Sequence, residues 1–187
     1  MADPRYATRL RYLDAADVDD AVASFDGLDV VGSDGERIGG IDGFVVEAGA
    51  RRVNHIVVDS GGWFTSRRFL LPIGHAAVAP DRKSLRTDVT RDALRRLPEF
   101  DADRFAEFTD EELHAFERHT VNACCPDEPL EAVSTSRWGY EAWGHYRQPD
   151  WWRTIHYAPE RLRSIASLFA ASCSADRLAT VAGRRSH

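Results

Sequence analysis

The apolar residues of this chain follow two regimes. Between Leu28 and Leu97 they come in short alternating or β-branched runs, each closed by turn residues. Asp29-Val30-Val31 predicts a short strand and Ser33-Asp34-Gly35 a turn, because glycine accepts positive φ and aspartate can bond to its own turn. Arg37 to Glu47 predicts the next strand or strand pair, and Gly39, Gly40 and Gly43 suit a bulge or sharp bend. Ala48-Gly49-Ala50 turns the chain into Val53 to Asp59, with Ile56-Val57-Val58 at its centre. Phe69-Leu70-Leu71-Pro72 predicts a strand that stops at the proline; Ala76-Ala77-Val78 and Ser84 to Thr87 predict a last hairpin around Pro80-Asp81-Arg82-Lys83. Five or six short antiparallel strands cannot hide two faces as an open sheet, so the expected architecture is a small closed β-barrel.

Outside that stretch the spacing turns helical. Residues 15–25 predict a short amphipathic helix with Val18, Val22 and Phe25 on one face and Gly27 at the C-terminal cap. Thr90 predicts the cap of a helix from Arg91 to Leu97, ended by Pro98. Thr109-Asp110-Glu111-Glu112 is a capping box that opens a helix to about His119, with Leu113 and Phe116 turned inward. Residues 122–136 predict a loop, and Arg161 to about Leu178 a helix with a stripe of Leu162, Ile165, Leu168 and Phe169. The chain thus divides into an N-terminal helical segment (1–27), a β-barrel (28–98) and a helical or irregular, aromatic-rich extension (99–187). The expected class is mainly β with added helices.

Composition narrows the function classes. With 187 residues, 43% apolar and 10% aromatic, the chain can bury a real core. No apolar run approaches the roughly 20 residues of a membrane span, and no apolar signal core follows the first residues, so cytoplasm is the expected compartment. Three cysteines, two of them adjacent (Cys124, Cys125), make no disulfide framework. Lys83 stands against 23 arginines, a whole-chain bias that gives single arginines little functional weight. The net charge of −6 is segmented: residues 99–131 hold eleven acids and two arginines, and residues 132–187 eight arginines and four acids. An acidic block followed by a basic, aromatic tail invites pairing within or between subunits, as well as two independently solvated faces.

Candidate chemistry is sparse. His55 and Asp59 share a strand face but stand about 13 Å apart along it, too far to pair as base and orienting carboxylate. His114, His119, Cys124 and Cys125 fail as a metal set, because helical ligands share a face at three or four residues and here the histidines are five apart. Gly32-Ser33-Asp34-Gly35 leads into a strand and offers no helix N-terminus to an anion, and no serine nucleophile elbow is present. These patterns argue against an enzyme and predict no catalytic residue, cofactor or metal. The unusual segment runs from Arg137 to Tyr157, where Trp138, Tyr140, Trp143, Tyr146, Trp151, Trp152 and Tyr157 alternate with Arg137, Arg147 and Arg153. Such residues anchor protein interfaces, stack single-stranded nucleic acid, or complete a small core. The acidic block counts against nucleic acid.

The ordered set Val31-Gly32-Ser33-Asp34-Gly35-Glu36-Arg37-Ile38-Gly39, then Val53-Asn54-His55-Ile56-Val57-Val58-Asp59, then Arg68-Phe69-Leu70-Leu71-Pro72 with Ala76-Ala77-Val78, resembles the PRC-barrel family. That family is named for the cytoplasmic barrel of the photosynthetic reaction-centre H subunit and includes ribosome maturation factors. The resemblance covers about 70 residues and implies a docking or assembly module without shared catalytic residues. The chain departs from the H subunit in lacking its transmembrane helix, and from the maturation factors in lacking their separate N-terminal barrel. It looks like the stand-alone bacterial members. The expectation is therefore a non-catalytic adaptor, a homodimer in form, with an unidentified protein partner met through Trp138, Tyr140, Trp143, Tyr146, Arg147, Trp151, Trp152, Arg153 and Tyr157. The alternatives are a small-ligand protein or enzyme with a pocket between barrel and tail, using His145 or His156, and an RNA- or ribosome-linked factor.

Overall fold

The computed structural model describes residues 10–18, 24–61, 67–124 and 144–165. Seven strands build one sheet: β1 (Leu10–Asp14), β2 (Asp29–Val31), β3 (Arg37–Glu47), β4 (Arg52–Asp59), β5 (Arg68–Pro72), β6 (Ala76–Val78) and β7 (Ser84–Thr87). Three α-helices follow: α1 (Arg91–Arg95), α2 (Ala102–Glu107) and α3 (Asp110–Cys124). The order is β5-β4-β3-β2-β7-β6, with β1 also on β3. The long β3 makes this possible. Its first half pairs with β2, its second half with β1, and β4 runs along its other edge. Register shifts between Ile41 and Gly43 and between Val45 and Val46 bend it, as its glycines predict. In the first turn Gly35 takes φ 80°, and Asp34 Oδ1 accepts from the Glu36 amide at 3.1 Å.

Three expectations are corrected. Among the described residues the strands number seven, not five or six; β2 and β7 pair in parallel, not antiparallel; and the sheet they form does not close by strand pairing. The unforeseen strand is β1, which occupies the edge of β3 that β2 leaves bare. Closure is replaced by edge caps. Beside β1, the Tyr12 amide donates to Arg163 O (2.9 Å) and the Arg163 amide to Tyr12 O (2.8 Å). Beside β5, the Phe100 amide donates to Arg68 O at 2.8 Å. Single strand-like contacts thus satisfy edges that would otherwise recruit another chain.

The sheet is buried on both faces, which explains why β3 and β4 read as continuous apolar runs. One face carries Leu13, Phe44, Ile56, Val58 and Leu71 into the main core. The other carries Tyr12, Val45, Val57 and Leu70 against Phe100, Phe105, Leu113 and Ile165. A polar pin sits at its border. The Tyr12 hydroxyl reaches Asp42 Oδ2 at 3.0 Å and Arg68 Nη2 donates to Asp42 Oδ1 at 3.1 Å. Burial pushes both the phenol and the carboxyl up, and Arg68 draws the carboxyl part of the way back.

The helix starts follow the local chemistry. The Thr90 hydroxyl accepts from the Ala93 amide, and Thr109 and Glu112 form the reciprocal capping box. The end of α3 does not follow it: the helix continues five residues past His119 to Cys124, because Thr120, Val121 and Ala123 bury its last turns. Helix α2 went unpredicted, and Asp101 caps it through the Arg104 amide. At the N-terminal helix expected over 15–25, Ala15–Asp17 form one 3-10 turn, and residues 19–23 lie outside the described residues. Of the helix expected from Arg161, residues 162–165 are irregular, and Leu168 and Phe169 lie outside the described residues.

Candidate functional site

The segment 144–165 crosses the sheet as a strap, held by side chains that bond to backbone. Gln148 Nε2 donates to Val53 O at 2.8 Å while its Oε1 accepts from the Val53 amide at 3.0 Å, so one amide side chain imitates a paired strand residue. The Trp152 indole donates to Arg51 O at 3.1 Å and the Trp151 indole to Ala76 O at 3.3 Å. Trp152, 5% exposed, lies 5.1 Å from Phe44 in the main core, and Trp151 stacks on Phe25 at 5.5 Å. Tyr146 is also 5% exposed, and its hydroxyl stands 3.1 Å from His55 Nε2.

The aromatic segment singled out in the sequence is therefore split by function of position. Tyr146 and Trp152 are core of this chain, Trp151 and Tyr157 are half-buried, and Arg147 and Arg153 are exposed. Trp138, Tyr140 and Trp143 lie outside the described residues. A cavity of about 480 Å³ opens beside the strap, lined by Arg51, Arg52, Trp152, Arg153, His156 and Tyr157.

His55 and Asp59 are not brought together: His55 is fully enclosed against Tyr146, whereas Asp59 ends β4 and accepts from the Gly61 amide. Burial drives the His55 pKa down from 6.5 to about 3. The unfolded chain therefore takes a proton at His55 before the folded chain does. The stabilising effect is fully present above about pH 6.5 and declines toward pH 3 at about 1.4 kcal/mol per pH unit. His55→Gln keeps a partner for Tyr146 but does not titrate, so its urea-unfolding stability should fall less steeply between pH 6.5 and 4; equal slopes would contradict this role for His55.

The histidines and cysteines separate in the same way. His114 and His119 are exposed on α3 and share no cluster with Cys124. Cys124 instead faces two histidines that the sequence reading left unconnected to it. His75 ends the 3-10 turn after β5, and His145 opens the strap. His75 Nε2 lies 2.6 Å from His145 Nδ1 and 3.7 Å from Cys124 Sγ, and the three ligand atoms all fall within 4.8 Å of one another. His75 Nδ1 lies 2.7 Å from Asp88 Oδ1. The adjacent backbone is closely fitted. The Gly74 amide donates to His145 O at 2.7 Å, and a Cβ at Gly74 would overlap Gly144 O. No sequence signal connects these residues, since 70 positions separate His75 from His145.

A second feature is formed by the helices that follow the sheet. Helices α2 and α3 enclose a groove of about 630 Å³ lined by Phe100, Phe105, Phe108 and Phe116. Phe100 and Phe105 form its floor, whereas Phe108 and Phe116 are only partly buried. Glu99, Asp101 and Glu112 stand at its edge, with Arg104 and His119.

The sheet with its flanking helices and strap defines a β scaffold with appended helical and irregular elements. Residues 17–94 match the model of the PRC-barrel domain. Over 78 residues it is also 32% identical to an uncharacterized protein of Deinococcus radiodurans. That alignment covers 42% of this chain and only 28% of the relative's length.

Proposed function

We propose that this chain is a non-catalytic binding and assembly module, in which the PRC-type sheet is the scaffold and the α2–α3 groove is the contact surface. The observation that carries the reading is the pair Phe108 and Phe116, left partly open above a fully buried aromatic floor and bordered by carboxylates. Aromatic side chains in a concave site are efficient anchors for a partner's apolar residue, and surrounding charge selects the partner's sign. The chain that builds the groove, residues 99–124, holds eight acids against two arginines, so it favours a basic, apolar segment. A second copy of this chain supplies one, because residues 132–187 carry eight arginines against four acids.

Sedimentation equilibrium tests this. The wild type should form a concentration-dependent dimer, and Phe108→Ala/Phe116→Ala should weaken it by at least tenfold, corresponding to about 1.4 kcal/mol. Raised salt should weaken the dimer as well. A strictly monomeric wild type, or a dimer unmoved by the double substitution, would remove this surface from the account.

A further inference from the structure

We infer that His75, Cys124 and His145 form a binding site for a divalent transition metal of the zinc class, which would staple α3 and the strap to the sheet. The argument is one of donor type, tautomer and position. Two imidazole nitrogens and a thiol are the borderline-soft set that such ions take in preference to magnesium or calcium. The 3.7 Å from Cys124 Sγ to His75 Nε2 matches an edge of a coordination tetrahedron, and all three donor atoms lie within 4.8 Å of one another. The nitrogen pair, now 2.6 Å apart, has to open by several tenths of an ångström to take one ion between them.

Asp88 decides the tautomer. Its carboxylate accepts the Nδ1 proton of His75 at 2.7 Å, which leaves the Nε2 lone pair directed at His145 and Cys124. This carboxylate–histidine arrangement is the outer support that orients metal-bound imidazoles and raises their basicity. The site is also sheltered: the His145 side chain is buried and the His75 side chain is 9% exposed. Binding would convert the Cys124 thiol to thiolate, releasing its proton to solvent, and would move the His145 proton off Nδ1. The remaining coordination position falls to water or to another side chain.

The three donors come from three separate elements: the turn after β5, the end of α3, and the start of the strap. A metal there holds folded structure together across 70 residues of sequence and therefore stabilises the native state by its own binding free energy. This inference does not depend on the groove reading, since the two use different residues.

The test is titration of the reduced, metal-free full chain with Co(II) and then Zn(II). One equivalent of Co(II) should bind, with tetrahedral ligand-field absorption and a thiolate-to-cobalt charge-transfer band that zinc displaces. Zinc should raise the melting temperature. Cys124→Ser should abolish the charge-transfer band, and His75→Gln should lower affinity by at least tenfold. Asp88→Asn should weaken binding by about 10–100-fold while keeping the band. His114→Gln, on the exposed face of α3, serves as a control that should leave binding unchanged. Melting curves of the metal-free variants identify any that fail to fold. Failure to bind one equivalent, or a charge-transfer band that survives in Cys124→Ser, would overturn the proposal.

Discussion

Replacing Trp152 with alanine is expected to lower stability by about 3–5 kcal/mol, which for a chain of this size is a fall of roughly 6–20 °C in melting temperature. The indole is 5% exposed and fills the space between Phe44, Trp151 and Tyr157, with ring centroids 5.1, 6.1 and 6.2 Å away. Its removal leaves a cavity under an irregular strap, and it deletes the donor that holds Arg51 O. That carbonyl belongs to a residue at φ 52°, a left-handed conformation that side-chain-bearing residues rarely adopt. The Arg51 guanidinium lies over the Tyr157 ring at 5.2 Å, so the strap and the β3–β4 turn hold one another in place. Trp152→Phe retains most of the volume but not the N–H, and should cost much less. Thermal denaturation of both variants decides the matter; an alanine variant that melts with the wild type would mean the strap contributes nothing to the core.

Gly74→Ala is expected to have the next largest effect, about 1–3 kcal/mol, by a different route. The new methyl would overlap Gly144 O, which belongs to backbone and cannot rotate away as a side chain could. Relief requires the start of the strap to lift, breaking the 2.7 Å bond from the Gly74 amide to His145 O and drawing the His145 ring off His75. Tryptophan emission should shift to the red as Trp151 and Trp152 gain water, and trypsin should cut at Arg147 or Arg153 more quickly. Wild-type emission and cleavage rates would show that the strap tolerates the displacement.

Much of the architecture was legible before any coordinates. The Asp34–Gly35 turn, the strand over Val53–Asp59, the β6–β7 hairpin and the caps at Thr90 and Thr109 each depend on residues within 11 positions of one another. What misled was the inference from short strands to a closed barrel. Leu10–Asp14 shows no alternation because both of its faces are covered, so the seventh strand gave no period to detect. The end of α3 gives no helical signal in the sequence because its last buried residues are Thr120, Val121 and Ala123, small side chains that draw no apolar stripe.

The site was less legible. Residue types alone pointed to the tail as unusual, and to Cys124 with its neighbours as the thiol-bearing region. Spacing correctly separates Cys124 from His114 and His119, its neighbours in sequence, but nothing local shows that the fold brings it to His75 and His145.

By itself, then, the sequence determined the PRC-type succession of strands and turns, the helix starts, and the uneven distribution of charge, because periodicity, turn chemistry and capping act over a few residues. Tertiary structure alone decided which aromatic side chains became core, which edges were capped instead of closed, and which histidines met the cysteine. Those choices join residues 32 to 151 positions apart. They are made only when the packed sheet brings the strap, the turn after β5 and the end of α3 to one place, and no local pattern carries that information.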